Sequence, residues 1–101
     1  MLNTLGAALY RARRFDEAIA RLNEAVSAHP KGGTTSDWFF LAMAHAQLGD
    51  QAAAGQWYDK AALWMDENHA SLEKNRRLAE ELRRFHAEAA EVLGKDPTKP
   101  K

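Results

Sequence analysis

A neutral chain of 101 residues is long enough for one domain with a modest hydrophobic core. It has no cysteine, which excludes disulfides, thiolate chemistry and cysteine-based metal sites. No apolar run approaches the length of a membrane span, and the N-terminus lacks the blocks of a signal peptide. Arginines cluster over residues 11–14 and again over residues 76–84, but glutamates are interleaved with the later group, which is typical of a solvated helix face. We therefore expect a cytoplasmic protein that binds neither a membrane nor a nucleic acid. Abundant alanine and scarce β-branched residues predict an all-α fold.

Residues 1–30 form the first of two segments that share one order of large, small and helix-breaking residues. The small residues allow two helices to approach closely, and the large ones fill the space between them. The first copy of the pattern consists of Leu2, Leu5, Gly6, Leu9, Ala18, Leu22, Ala25 and Pro30.

A linker over residues 31–36 follows, and its glycines and hydroxyl residues are typical of turns. Either Ser36 or Asp37 is expected to cap the next helix. Residues 37–68 then repeat the pattern at an offset of 36 residues. A period in this range predicts stacked helical units, because one unit cannot bury its apolar face alone. The second copy consists of Trp38, Leu41, Ala42, His45, Ala54, Tyr58, Ala61 and Asp66.

The two copies resemble the tetratricopeptide repeat, from residue 1 to about residue 66. The matching residues of the first copy are Leu5, Gly6, Phe15, Asp16, Glu17, Ala18, Ala25 and Pro30, and those of the second are Trp38, Leu41, Gly49, Asp50, Ala54, Tyr58 and Ala61. The chain departs from the family pattern where Arg13 and Arg14 replace a turn glycine and where Asp66 replaces a closing proline. Leucines also stand at three positions where aromatics are commoner, namely Leu2, Leu9 and Leu22. The resemblance implies a right-handed array of two antiparallel helical hairpins.

Residues 69–94 lack the repeat signature and are expected to form a capping helix. Apolar residues keep helical spacing along it, and Gly94 is placed to end it. Polar residues such as Asn68 and Ser71 favour a break over residues 66–71. Because this stretch has no glycine or proline, a continuous helix is the alternative. Residues 95–101 are expected to be a disordered tail.

No set of residues has the pattern of a catalytic or metal site. The four histidines do not form a metal-binding motif, and His45 and His86 are expected to be packing residues. No nucleophile is accompanied by a base and an orienting group, and no glycine-rich phosphate loop is present. We therefore expect no enzyme activity, no metal and no cofactor.

Function is expected instead on a binding surface. In the family that the chain resembles, the first helix of each repeat lines a concave groove that binds a peptide or a helix. The groove residues implied here are Asn3, Ala7, Tyr10, Phe39, Met43 and Ala46. Only Asn3 matches, by residue type, the members that grip a carboxylate, so these mainly apolar positions favour an amphipathic helix or self-association. The alternative is that the C-terminal helix itself covers Phe39 and Met43.

The sequence thus predicts a non-catalytic protein–protein interaction module, a scaffold or adaptor with a protein or peptide partner. The alternative function is a structural or oligomerisation segment of a larger tetratricopeptide-containing protein. Such arrays also resemble the C-terminal parts of large bacterial signalling or scaffold proteins.

Overall fold

A computed structural model describes residues 2–30 and 32–94, and this part of the chain is all-helical, as expected. The predicted tail, 95–101, lies outside the described residues, as does Lys31 of the linker. The helices are α1 (Leu2–Arg11), α2 (Phe15–Ala28), α3 (Thr35–Gln47), α4 (Gln51–Glu67), α5 (His69–Lys74) and α6 (Arg76–Leu93).

The first two helices pack side by side and run in opposite directions. The rings of Tyr10 and Phe15 lie 5.4 Å apart across the turn, and Gly6 lies directly against Leu22. The next pair is arranged alike, because the Phe39 ring of α3 contacts the Tyr58 ring of α4. The small residues that the sequence pattern assigned to close helix contacts are all buried, namely Gly6, Ala18, Ala25, Ala42, Ala54 and Ala61.

The turns within the two pairs have the same backbone geometry. After α1, Arg13 has a φ of 64°, its amide donates to the Tyr10 carbonyl, and the Arg14 amide donates to the Leu9 carbonyl. After α3, Gly49 has a φ of 85°, and the same two hydrogen bonds recur 36 residues later. This is the helix-ending motif that favours glycine at its left-handed position. Arg13 therefore occupies a glycine position.

Replacing Arg13 by glycine is expected to stabilise the protein. A non-glycine residue in the left-handed region costs about 1 kcal/mol, part of which glycine returns through its greater freedom in the unfolded chain. We expect Arg13→Gly to raise the free energy of unfolding by about 0.5 kcal/mol and Gly49→Ala to lower it by about 1 kcal/mol. Urea denaturation checks both values. A loss of stability in Arg13→Gly would contradict the assigned backbone conformation.

Close packing at Gly6 gives a second expected result. A Cβ added there would lie 2.6 Å from two carbons of the Leu22 side chain, whereas one added at Gly55 in α4 would meet nothing within 4 Å. Both glycines are helical, so alanine gains about 1 kcal/mol of helix propensity at each. Gly55→Ala should therefore be stabilising. Gly6→Ala should be net destabilising by about 1–2 kcal/mol, because overpacking exceeds that gain. Thermal denaturation of the two variants checks the difference between them.

The N-cap of α3 differs from the expectation. The cap is Thr34, whose hydroxyl accepts a hydrogen bond from the Asp37 amide, while the Asp37 carboxylate accepts one from the Thr34 amide. Neither Ser36 nor Asp37 is the cap itself. The reciprocal pair places the helix start two or three residues earlier, because it satisfies two backbone donors at once.

Asparagine side chains divide the C-terminal third. Asn68 ends α4, where its side-chain amide donates to the Trp64 carbonyl, so the chain breaks within residues 66–71. Asn75 then separates α5 from α6, and its side-chain oxygen accepts a hydrogen bond from the Leu78 amide. The segment expected to be one capping helix over residues 69–94 is therefore two helices. Gly94, with a φ of 76°, follows the end of α6 as expected.

Helix α3 lies at the centre of the core, with every residue from 37 to 44 buried. Helix α6 packs beside it and against α4. The Phe85 ring of α6 contacts the Phe40 ring, with 4.9 Å between centroids. Towards its N-terminus, Leu82 lies near the start of α3, and towards its C-terminus, Val92 lies near the end of α3. Helix α6 therefore runs along α3 in the same direction.

Candidate partner-binding groove

The expected groove residues lie on α1 and α3, and most of them are covered. Phe39 and Met43 are fully buried, and Tyr10 is nearly so. Ala7 and Ala46 are half-buried, and the side chain of Asn3 lies outside the described residues. Of the two arrangements considered from the sequence, the structure has the one in which the C-terminal helix covers Phe39.

Helix α6 covers Phe39 through an aromatic stack. The His86 ring lies 5.4 Å from the Phe39 ring, with 22° between their planes, and Tyr58 meets Phe39 edge-on from α4. The Tyr58 hydroxyl and His86 Nε2 are hydrogen-bonded at 2.8 Å. His86 is thus a half-buried packing residue, as expected, and it links α6 to both α3 and α4.

Burial changes the acidity of this pair. It lowers the pKa of His86, and it raises the pKa of Tyr58, helped by the negative charge of Asp59. Both groups are therefore held in their neutral forms, which is the state that can share one hydrogen bond beneath α6 without an uncompensated charge.

Acid pH is therefore expected to weaken the packing of α6 against α3 and α4. As the pH falls below about 6.5, the unfolded chain binds a proton at His86 before the folded chain does, so the free energy of unfolding decreases. We expect His86→Phe, which keeps a ring against Phe39, to lose stability less steeply between about pH 6.5 and pH 5. Chemical denaturation at several pH values checks this. If the free energy of unfolding decreased equally in both proteins, the loss of stability in acid would come from groups other than His86.

Phe40 is a central groove residue that the sequence pattern did not single out. Its ring contacts Tyr10 of α1 as well as Phe85 of α6, so it joins three helices. The signal was the uninterrupted apolar run over residues 38–44, because a helix that is apolar all round is buried on every side.

A surface ion pair joins α1 to α6 at the far end of the groove. The Arg11 guanidinium makes two hydrogen bonds to the Glu88 carboxylate, one of them at 2.8 Å, and it lies over the rings of Tyr10 and Phe40. The hydrogen bonds to Glu88 raise the pKa of Arg11. Because half of the arginine side chain is exposed, the pair contributes at most about 1 kcal/mol.

An open cleft of about 530 Å³ remains beside this ion pair. It lies between the turn after α1 and the C-terminal part of α6, and Tyr10 is the expected groove residue that lines it. Its other walls are mixed in charge and are formed by Arg11, Arg13, Phe15, Gln47, Glu88, Glu91 and Val92. The groove is therefore filled by α6 over α3 and open near α1.

Nowhere in residues 2–30 and 32–94 do three His, Asp or Glu side chains come together as metal ligands would. None of the helices in these ranges combines the length and apolar content that crossing a bilayer requires.

A scan of the chain against protein-family models returned no match. Searches of curated proteins and of solved structures also returned none.

Proposed function

We propose that the chain is a non-catalytic, tetratricopeptide-like interaction module that binds an amphipathic helix of a protein partner. In this proposal α1–α2 and α3–α4 are two hairpins of a right-handed array, and α5 and α6 cap it. The backbone agreement between the turns at Arg13 and Gly49 supports the repeat, because it extends the offset of 36 residues from side-chain pattern to geometry. The proposal includes a scaffold or adaptor role in the cytoplasm.

The observation that carries the proposal is the packing of α6 on α3. This helix has an apolar face that packs on α3 through Phe85 and His86, and an opposite face rich in arginine and glutamate. The surface assigned to a partner helix thus receives a helix of the chain's own. A groove that accommodates one amphipathic helix has the shape and the apolar character to accept another.

In this proposal a partner helix and α6 therefore compete for the same groove over α3. The apparent affinity of a partner is reduced by the fraction of molecules in which the groove is closed. The cleft beside Tyr10 provides the place where an incoming helix makes its first contacts, because α6 leaves that end of the groove open.

A peptide competition experiment tests this function. A fluorescent peptide with the sequence of residues 76–94 is titrated with the full chain, with Phe85→Ala and with Leu63→Ala. Phe85 anchors α6 on Phe40, whereas Leu63 is 57% exposed on α4. Phe85→Ala should bind the peptide roughly tenfold more tightly than the parent, because its groove is open more often. Leu63→Ala should match the parent.

Two controls complete the experiment. Circular dichroism confirms that each variant is folded at the assay temperature, and a peptide of the same composition in scrambled order reports non-specific binding. Equal affinity of the parent and Phe85→Ala for the peptide, or no binding by either, would contradict the proposal.

Self-association is the second candidate function, and exposed leucines favour it. Leu5 of α1 is 47% exposed, as is Leu48 after α3. A structural or oligomerisation segment of a larger protein would use such positions between copies. Analytical ultracentrifugation of the parent and of Leu5→Lys tests self-association. This function requires that the parent forms a dimer at higher concentration and that Leu5→Lys forms it less readily.

A further inference from the structure

We propose that a second cleft, separate from the groove, binds a small neutral aromatic molecule. The cleft has a volume of about 580 Å³, within the range of about 300–1,000 Å³ that small-molecule sites occupy. It lies between the start of α3, the end of α4 and the start of α6. We call it the tryptophan cleft, and its principal lining residues are Thr35, Ser36, Trp38, Trp64, Leu78 and Leu82.

The apolar walls favour a flat aromatic ligand. Two indoles, Trp38 and Trp64, line the cleft together with two leucines one helical turn apart on α6. The Trp38 ring is fixed, because its Nε1 donates to the Gly32 carbonyl at 3.0 Å and the Lys60 ammonium lies 4.7 Å from its centroid. A preformed aromatic wall gains stacking contacts with a ligand ring and loses little side-chain entropy on binding.

The charge of the lining favours a neutral ligand. Among the described residues, those that line the tryptophan cleft include no Asp, Glu, Lys or Arg, and His29 is their one ionisable side chain. The cleft beside Tyr10, by contrast, contains two arginines and two glutamates. An ionised ligand would lose hydration in the tryptophan cleft without meeting an opposite charge from an Asp, Glu, Lys or Arg of that described lining.

A hydroxyl side chain in the cleft wall provides a polar contact. Thr35 is 6% exposed, and it is one of the residues that line the cleft. A threonine hydroxyl can both donate and accept a hydrogen bond, so it can meet a polar edge of a ligand in the cleft. The geometry therefore places the aromatic ring of the ligand against the two indoles and a hydrogen-bonding group of the ligand against Thr35.

Fluorescence titration tests the site with a chosen probe. Phenylnaphthylamine is neutral and aromatic, and its N–H can donate to the Thr35 hydroxyl. Anilinonaphthalene sulfonate has the same ring system with a negative charge. Titration of the full chain, with direct excitation of each probe, should show saturable binding of one phenylnaphthylamine per chain. The sulfonate should bind roughly tenfold more weakly or not at all.

Three variants locate the binding. Leu78→Trp and Ser36→Trp fill the cleft from opposite walls, and each should weaken binding of phenylnaphthylamine by roughly tenfold or more. Leu63→Trp adds the same side chain at an exposed position of α4 and should bind like the parent. Thr35→Val keeps the side-chain shape and should weaken binding by roughly threefold to tenfold through loss of the hydroxyl.

Several outcomes would overturn the proposal. Absence of saturable binding, or unchanged affinity in both cleft-filling variants, would show that the cleft is not a ligand site. Equal or tighter binding of the sulfonate would exclude the neutral class. Unchanged affinity in Thr35→Val would remove the polar contact. None of these results bears on the peptide competition, which reports on the groove at α3.

Discussion

Replacing Phe39 by alanine is expected to lower the free energy of unfolding by about 3–5 kcal/mol. The side chain is fully buried, stacked on His86 and in edge contact with Tyr58. Its removal would therefore leave a cavity where α3, α4 and α6 meet. For a domain whose total stability is on the order of 5–15 kcal/mol, this loss is a large fraction of the whole.

Urea denaturation of Phe39→Ala and Leu63→Ala measures this effect. Leu63→Ala should change the free energy of unfolding by no more than about 0.5 kcal/mol, because that leucine is mostly exposed. If Phe39→Ala retained parental stability and instead lost affinity for the peptide of residues 76–94, Phe39 would be a surface anchor. The covered arrangement would then not hold in solution.

Removal of α6 is expected to abolish cooperative unfolding. A chain that ends at Lys74 would expose Phe39, Phe40 and Tyr58, which α6 covers through Phe85 and His86. Burial of each large side chain is worth about 1.5–3 kcal/mol, so the truncated chain would lose most of a typical margin of stability. Thermal denaturation followed by circular dichroism should show a broad transition or aggregation.

Addition of the missing helix in trans provides the control. A saturating peptide of residues 76–94 should restore a sharp transition, because binding to the folded state stabilises it by mass action. A scrambled peptide should not. A truncated chain that is soluble and unfolds cooperatively without the peptide would show that α6 is an independent appendage.

The positions of close helix–helix contact could largely be predicted from residue size. Gly6, Ala18 and Ala54 are small in a pattern of large neighbours, and each is buried where helices meet. Size and spacing carry this information because close approach of two helices is a local steric requirement. The tetratricopeptide interpretation of the same pattern stays a prediction.

Helix ends were less predictable because they depend on competing local hydrogen bonds. Thr34 rather than Ser36 caps α3, since only Thr34 stands three residues before an acidic residue that can return the bond. Asn75 caps α6 in a segment without glycine or proline, where periodicity alone favours a continuous helix. An asparagine followed by a helical run was the available signal.

The groove could not be resolved from the sequence because covering it depends on tertiary packing. Phe39 and Met43 share a helix face whether that face meets a partner or α6. The apolar run from Trp38 favours full burial of α3, but it does not identify the helix that provides the cover. The ring contacts of Phe85 and His86 identify it as α6.

Nuclear Overhauser effects between aromatic rings test most directly the claim that α6 fills the groove over α3. We expect cross-peaks between Phe40 and Phe85 and between Phe39 and His86, whose ring centroids lie 4.9 and 5.4 Å apart. Contacts of Tyr10 with Phe15 and Phe40 serve as internal controls that do not involve α6. Observation of both sets is the predicted result. If the control cross-peaks of Tyr10 were observed but those to Phe85 and His86 were absent, the packing of α6 on α3 would be contradicted.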